Sequence, residues 1–600
     1  MRLYLGIVSR RSGVPVDPEL ARTARTLVTH AIPVPRDALT NDEWISPNRM
    51  VTLLGWSNEP EHQLLPPVFA GAAADRVLGY CGYLADAADA LELLKRDSLA
   101  GADTLGGVFS LFRASDDGLQ AATSTARVCP VYYATGPDVT VIGSRALLVH
   151  LVARAAVGKP APDIDAASLV PLVHHGFLTT DATPFTGVMA LPAASVIDAR
   201  PAATPAISTA IIPAAEGAIG QVSELTSALA LAVAPLGRSD LPARLALSGG
   251  RDSRLLAAAL HAGGIPFNAY THGFDDAPDM ILGRQIVDLL GIPHDARVTI
   301  PEPVKRTVTV PHPLSRATQV IRMCEGMTTG YESVGGYAPF DAVPATSGSG
   351  GETLRGGFLY DQQDVSPEGL RRRVNTIFHV ADWLLTQDAK DGFKGAAAPW
   401  FEMDGFSALD LIYLHYRTGR WIVGSHTATL MNGLYFHPFF DNRVVRAALR
   451  LPPRWRHSEE PFYQAIAALA PPLAALPTEG KRWRFEARRP ARLTDWRDWR
   501  RRAPVMPRSQ TSGFNWRLCT HESLLGILAE QILDGPSALF DIVDHTEVGK
   551  LLDRLKSQAP RQAGWMKQVW HVYTMSVLLS GTWYGDSTSS APDPISVPVT

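Results

Sequence analysis

One segment constrains this chain more than any other: Arg244-Leu-Ala-Leu-Ser-Gly-Gly-Arg-Asp-Ser-Arg-Leu-Leu-Ala-Ala-Ala-Leu-His-Ala-Gly-Gly264. Leu245 to Leu247 read as a short buried strand. Leu255 to His261 read as an Ala/Leu helix, and Gly263-Gly264 gives its stop signal. Between them lies Ser248-Gly-Gly-Arg-Asp-Ser253. Gly249 and Gly250 let the backbone turn tightly and approach a ligand with no Cβ in the way. The N–H groups of the helix's first turn then face that ligand, and their dipole favours an anion. Ser248 and Ser253 add hydroxyl donors. Asp252, placed here on an exposed loop, would repel phosphate by itself, so its expected role is to hold a divalent cation that bridges to phosphates. The lysine of the G-x-x-x-x-G-K-[ST] loop is absent, so this is a different phosphate cradle.

A chain of 600 residues exceeds what one hydrophobic core usually supports, so two or more domains are expected. The formal net charge of −3 argues against general nucleic-acid binding. The four cysteines, Cys81, Cys129, Cys324 and Cys519, form no C-x-x-C pair, which suggests neither a zinc site nor a disulfide framework. The first residues carry too short an apolar run for a signal peptide. No apolar run reaches membrane-spanning length, and a cytoplasmic protein is expected.

Residues 1 to about 200 read as β-rich, with strand candidates at Leu3–Val8, Val108–Phe112, Val131–Tyr133 and Val139–Ile142. Pro201–Pro205 reads as a linker. An amphipathic helix over 217–236 leads into the loop. A second β-α unit follows: Phe267–His272 as strand, Pro278–Leu290 as helix with proline at its start, and Gly291 as its cap. Strands alternating with helices predict a parallel, doubly wound sheet with its ligand at the carboxyl ends of the strands. Past residue 360 the chain reads as mostly helical. Its Arg/Trp-rich block over 481–502 fits a helical surface with inward tryptophans better than an anionic docking face. The Ser/Pro-rich stretch from Asp586 reads as disordered.

Ser248–Ser253 has the form S-G-G-x-D-S and resembles the pyrophosphate loop of the ATP pyrophosphatases, which split ATP between the α and β phosphates. Ala345-Thr-Ser-Gly-Ser-Gly-Gly-Glu-Thr-Leu-Arg-Gly-Gly-Phe358 resembles the second signature of the asparagine-synthetase family, S-G-x-G-x-D-x-x-x-G-G. His437-Pro-Phe-Phe-Asp441 is similar to that family's P-F-L-D segment, and Thr271–Asp279 to its strand-turn-helix after the loop. Leu105–Phe109, Arg127–Tyr133 and Thr183–Val188 resemble its glutaminase-like domain. The resemblance implies an α/β protein in two parts. Residues 1–205 would be a β-rich glutaminase-like domain of the amino-terminal-nucleophile type with its nucleophile lost. Residues 206–585 would be a doubly wound, parallel-sheet ATP-pyrophosphatase domain with a helical extension, and 586–600 a disordered tail.

Glutamine-using members of that family begin Met-Cys, whereas position 2 here is Arg2, so ammonia release is not expected and the amine must come from elsewhere. That points to the branch whose substrates cyclise on themselves: β-lactam synthetases, carbapenam synthetases and lasso-peptide macrolactam cyclases. The S-G-G-R-D-S-R form of the loop, the length and the Arg-rich carboxyl third look most like the last. The resemblance implies ATP and Mg2+ as cofactors, with Asp252 and Glu352 as metal ligands. Glu352 stands where the family carries Asp, and a surface glutamate is the competing reading. It further implies that ATP and its pyrophosphate lie against Ala246, Leu247, Ser248, Gly249, Gly250, Asp252, Ser253, His272, Ser347 and Gly348, adenine being read largely by backbone groups. The family's phosphate-stabilising lysine aligns with Ser512, so Lys481 or Arg508 is left to act beside Asp252 as the catalytic cation. Ser349, where relatives carry Glu or Tyr, is a poor general base.

The expected activity is an ATP-dependent, AMP-forming amide ligase. It would adenylate an Asp or Glu side chain of a ribosomal precursor peptide and close a macrolactam on its α-amine. The precursor peptide would be the substrate, and a leader-binding protein and a leader protease are implied as partners. A β-lactam-synthetase-type small-molecule ligase and a non-catalytic precursor-binding relative remain as alternatives. No nucleic acid and no membrane span enter any of these readings.

Overall fold

The computed structural model describes the chain except residues 63, 72–74, 211, 213–219, 300–305, 360–361, 491, 493–494, 508–513, 558–562, 586–591 and 600, and the side chain of 563. The amino-terminal part is built around Arg2–Ser9, a strand buried at every position. It is buried on both faces, with alternate side chains serving different layers. Leu3, Leu5 and Ile7 share a core with Leu20, Ala24 and Val28 of helix Pro18–Ala31 and with Leu148 and Val152 of helix Ala146–Ala155. Tyr4 and Val8 instead join Phe112 and Leu119 of a second sheet. A Cβ at Gly6 would stand 2.2 Å from Leu119 Cδ2, which marks where the two sheets approach closely.

Around that strand runs a six-stranded antiparallel sheet in the order Thr40–Ile45, Val51–Ser57, Arg2–Ser9, Val139–Gly143, Tyr132–Thr135 and Met189–Ala190. The facing sheet runs Ala206–Thr209, Ser195–Ala199, Gly118–Thr123, Gly107–Ser115 and Arg76–Leu84. Helix Ala88–Lys95 covers its outer face through Ala90 and Leu93. The result is a helix–sheet–sheet–helix stack. Its last strand, Ala206–Thr209, pairs with Ser195–Ala199, so 201–205 is a hairpin turn inside the sheet. The expected boundary at 205 therefore falls too early. Pro201 and Pro205 mark a turn that the sheet continues past.

A five-stranded sheet follows, in the order His294–Val298, Phe267–Gly273, Ala243–Ala246, Asp341–Ser347 and Gly433–Phe436. Every neighbouring pair in it is parallel. The chain winds outward from Ala243–Ala246 in one direction and then resumes on its other side. The switch point thus lies between Ala243–Ala246 and Asp341–Ser347, where open α/β sheets bind ligands. Regular helix before this sheet runs Val222–Val233, shorter than the expected 217–236: Gln221 is extended before it, and the chain tightens after it into a 3-10 turn at Ala234–Arg238 that contains Pro235. Residues 217–219 lie outside the described residues.

Buried polar contacts fix the two parts to each other. Asp441 Oδ2 accepts the Gly107 N–H at 2.7 Å, and Asn442 accepts from the Thr125 N–H at 2.7 Å while donating to the Leu105 carbonyl at 2.9 Å. Arg127, fully buried, pairs with Asp181 at 2.7 Å and reaches the His415 carbonyl at 3.4 Å. Hydrogen bonds to charged groups contribute roughly 1.5–3 kcal/mol each.

The expected disordered tail is corrected for its described residues. Ile595–Pro598 pairs antiparallel with Thr307–Val310, and Val597 is fully buried. The Ser/Pro composition hid a strand whose alternation buries one valine beside helix Glu522–Leu533. Among the described residues no helix is long and apolar enough to cross a membrane.

Candidate active site

At the carboxyl end of Ala243–Ala246 the chain turns through Ser248-Gly-Gly250 into helix Arg251–Ala262. The loop is held by its own atoms. The Ser248 N–H donates to Ser253 Oγ at 3.1 Å, the Gly250 N–H to Ser248 Oγ at 3.1 Å, and the two hydroxyls are 3.1 Å apart. The serines thus set the shape of the cradle as well as supplying hydroxyls to it. Asp279, from the first turn of helix Pro278–Leu290, accepts the Gly249 N–H at 2.7 Å. Arg254 is fully buried and donates to the Pro477 carbonyl at 2.6 Å, anchoring the helix to the segment that precedes the Arg/Trp block.

Asp252 does not sit on an exposed loop. It occupies the first turn of the helix, with its side chain 21% exposed, and Arg355 donates to its Oδ2 at 2.6 Å. Tight packing of a local turn against a distant one is what a loop-level reading misses here. Arg355 also pairs with Glu459 at 3.5 Å, and Glu459 with Arg251 at 3.4 Å. Glu459 is buried and in the left-handed region at φ 65°, and its second oxygen accepts the Arg484 N–H at 3.1 Å. Arg251 stacks over the Trp483 ring at 4.8 Å and donates to the Lys481 carbonyl at 2.9 Å. Burial drives the Asp252 carboxyl up to about 6. Arg355 opposes that shift and the charge of Glu352 adds to it.

The second glycine-rich turn closes over the first. A Cβ at Gly348 would lie 2.6 Å from the Ser253 backbone nitrogen, and one at Gly351 would lie 2.3 Å from Asp252 Oδ1. Glu352 follows in the 3-10 turn Gly351–Arg355, and the Tyr413 hydroxyl donates to its Oε2 at 3.4 Å. Asp252 Oδ1 is buried and has no hydrogen-bond partner among the described residues. No group of three or more His, Cys, Asp and Glu converges on a metal site among the described residues. Two carboxylates with one orphaned oxygen fit a magnesium ion that takes its remaining ligands from phosphates and water. Asp252 and Glu352 would hold it, and it would neutralise charge on the phosphates there.

The remaining predicted residues gather unevenly. Ala246 lies in register with Tyr270 on one side and Ser347 on the other, so the three strand ends adjoin. Leu247 is buried, and its carbonyl accepts from Thr271 Oγ1 at 2.8 Å. His272 is exposed on Phe267–Gly273. The Ser349 hydroxyl accepts from Ser347 Oγ at 3.1 Å. Lys481 is exposed and meets the loop through its backbone carbonyl. Arg508 and Ser512 lie outside the described residues. Sequence reading missed Arg355, Glu459 and the capping by Asp279. Arg355 and Asp279 fall inside matched stretches, whereas Glu459 carries no motif signal.

At position 2, the Arg2 side chain lies 3.1 Å from Glu59, donates to the Gly82 carbonyl at 2.6 Å and sits 4.5 Å over the Tyr80 ring. The Cys81 thiol donates to the Arg2 carbonyl at 3.1 Å. Burial pushes the Cys81 thiol up and the Cys129 thiol well up, which disfavours the thiolate that nucleophilic attack needs. All four cysteines are free and buried.

Two solved structures show a local likeness. One, described as the structure of the allosteric regulatory enzyme of purine biosynthesis, is 10% identical, with 50% of this chain and 81% of that chain covered and a TM-score of 0.23. The other is a glutamine phosphoribosylpyrophosphate amidotransferase from B. subtilis complexed with ADP and GMP. It is 10% identical, with 59% of this chain and 77% of that chain covered and a TM-score of 0.21. Scores this low carry no argument. No curated protein matches the chain. A family model, Asparagine synthase, matches residues 224–580, a span that holds the Ser248–Ser253 loop, the second glycine-rich turn and Glu459. That span is more than half of the chain, and with the Asp252 loop at the sheet's switch point it places this protein in the asparagine synthase family, the ATP-dependent carbon–nitrogen ligases.

Proposed function

We propose that the protein is a glutamine-independent, AMP-forming ligase that closes a macrolactam within a ribosomal precursor peptide. The observation that carries this reading is the contrast between the two family sites. The loop at Ser248–Ser253 is assembled, while position 2 holds an arginine paired with Glu59 beside two thiols disfavoured as thiolates. An enzyme that activates a carboxylate without releasing ammonia itself takes its amine from a substrate, and in the cyclising branch that amine belongs to the same molecule.

In the first step an Asp or Glu carboxylate of the peptide attacks the α-phosphorus of ATP. The bond to the bridging oxygen breaks and pyrophosphate leaves. The turn at Gly249–Ser253 and the helix dipole hold the phosphates. In the second step the α-amine of the same peptide attacks the acyl carbon, AMP leaves, and the amine loses its proton to solvent. Intramolecular attack gains from the proximity of the two ends. Asp252 with Glu352 would position Mg2+, and Arg251 and Arg355 bring cationic charge to the loop. A leader-binding protein and a leader protease would deliver the peptide.

The Arg355–Asp252 pair also favours a second reading, a precursor-binding relative in which the arginine has replaced the metal. One assay separates the two. With ATP, Mg2+ and a candidate precursor, the ligase yields AMP, pyrophosphate and a product lighter by one water. Peptide binding without ATP turnover supports the second reading, and ADP formation refutes the adenylation mechanism.

A further inference from the structure

Tyr413–Ile422 is a π-helical stretch, a wider turn found often at functional sites. Residues four apart stand almost in line on such a turn, which places Tyr413, Arg417 and Trp421 along one face. All three line a cavity of about 680 Å3 that has Glu352 in its wall, so it adjoins the Asp252 site. Arg417 is the unusual member. Its guanidinium stacks on Trp421 at 3.3 Å and lies 6.0 Å from the Phe177 ring centre. It is only partly exposed, and it makes no hydrogen bond or ion pair with any described residue. Burial draws its pKa down while Tyr413, Glu332 and Glu352 support its charge. A guanidinium stacked on an indole face, with its N–H groups open to the cavity and no anion of the described residues in contact, presents a planar fork that matches a carboxylate.

The rest of the wall shows the same bias. Arg373 and Lys567 line it with Arg417, against Glu332 and Glu352. Burial holds His174, His175 and His571 at about 3, about 4 and about 3, so they are neutral at pH 7 and leave an excess of positive charge. Gln568 and His175, also in the wall, have Oε1 and Nε2 buried without hydrogen-bond partners among the described residues. Phe177, Tyr331 and Phe358 give it apolar surface. A cavity of this size accepts a drug-sized ligand, about several residues of chain, rather than a lone amino acid.

We propose that this cavity receives a peptide segment of the acyl donor and that Arg417 binds a carboxylate carried on that segment. The assignment rests on the ligase reading for the word donor, but the binding can be tested without ATP. The probes are acetyl-Gly-Glu-Gly-Gly amide and its glutamine counterpart, added to the full chain during modification with phenylglyoxal, with Arg417 followed by peptide mapping. The glutamate probe should slow modification of Arg417 and the glutamine probe should not. Binding followed through tryptophan emission should weaken about tenfold or more in Arg417→Gln, the loss expected for a charge-assisted contact. It should recover in part in Arg417→Lys, which controls for folding, and should persist in Asp252→Asn, which spares the cavity.

Equal protection by both probes, or no protection by either, overturns the proposal. Free glutamate protecting as well as the peptide overturns the peptide class. Probe binding at Arg417 in a protein that never forms AMP upholds the cavity and removes the ligase reading. AMP formation with an unprotected Arg417 does the reverse.

Discussion

Replacing Asp252 by Asn tests the site at its most exacting residue. In the absence of ligand its carboxyl is raised from 3.8 to about 6 because burial outweighs the attraction of Arg355. A shift near two units corresponds to about 3 kcal/mol held against the folded state at pH 7. The sign follows from linkage. A raised carboxyl pKa means that the folded state binds the proton more tightly, so this group's cost to the fold is full above about pH 6, shrinks as pH falls from 6 towards 3.8 and is gone below that. Asparagine removes the charge and with it this net cost, in which the pull of Arg355 at 2.6 Å is already contained. The melting transition at pH 7 should therefore hold or rise by a few degrees. Activity should not survive so well. Losing one preorganised charge contact costs on the order of a hundredfold or more in rate. Pyrophosphate release with ATP and Mg2+ measures the activity, and a thermal melt measures the fold. Unfolding of the variant would make Asp252 structural. A folded variant with full ATP-to-AMP turnover would sink the metal assignment and the catalytic reading of the loop with it.

Other outcomes follow from the same geometry. Gly348→Ala places a Cβ 2.6 Å from the Ser253 nitrogen, backbone against backbone, so denaturant unfolding should show a loss of about 1–3 kcal/mol and nucleotide binding should weaken. In Glu352→Gln the Mg2+ needed for half-maximal turnover should rise about tenfold, the scale of one lost charge contact; an unchanged requirement would return Glu352 to a surface role. Because the Asp252 carboxyl titrates at about 6, a cation must displace its proton in acid. Mg2+–ATP affinity should fall as pH drops below 6 in the natural chain and should be flatter in Asp252→Asn, as read by calorimetry.

Local signals were legible where the chemistry is local. Ser248–Ser253 declares a strand, a turn and a helix, and Pro278 and Gly291 bound their helix at Pro278–Leu290, Gly291 being left-handed at φ 64°. The parallel sheet follows from that alternation of strand and helix. Contacts between distant residues were not legible. Arg355 lies 103 positions from Asp252, and nothing in either turn says that one seals the other. Glu459 sits beyond any motif, yet it ties Arg251 to Arg355. Composition misled at both ends of the carboxyl part. Two prolines at 201–205 suggested a linker where a hairpin turns, and a Ser/Pro-rich tail concealed the strand that buries Val597. The four-residue spacing of Tyr413, Arg417 and Trp421 is visible in the sequence, but its meaning depends on a π-helical turn that propensity does not predict.

The central claim is that a substrate carboxylate becomes an acyl-adenylate at the Asp252 loop. The most direct measurement uses a precursor peptide whose side-chain carboxylates carry oxygen-18, incubated with the protein, ATP and Mg2+. When the labelled carboxylate attacks the α-phosphorus, one of its oxygens stays on the nucleotide after the amine displaces it. Mass spectrometry should therefore find a single oxygen-18 in the AMP and a cyclised peptide lighter than the labelled precursor by one labelled water equivalent. AMP without the label, or label in inorganic phosphate alongside ADP, would contradict the account.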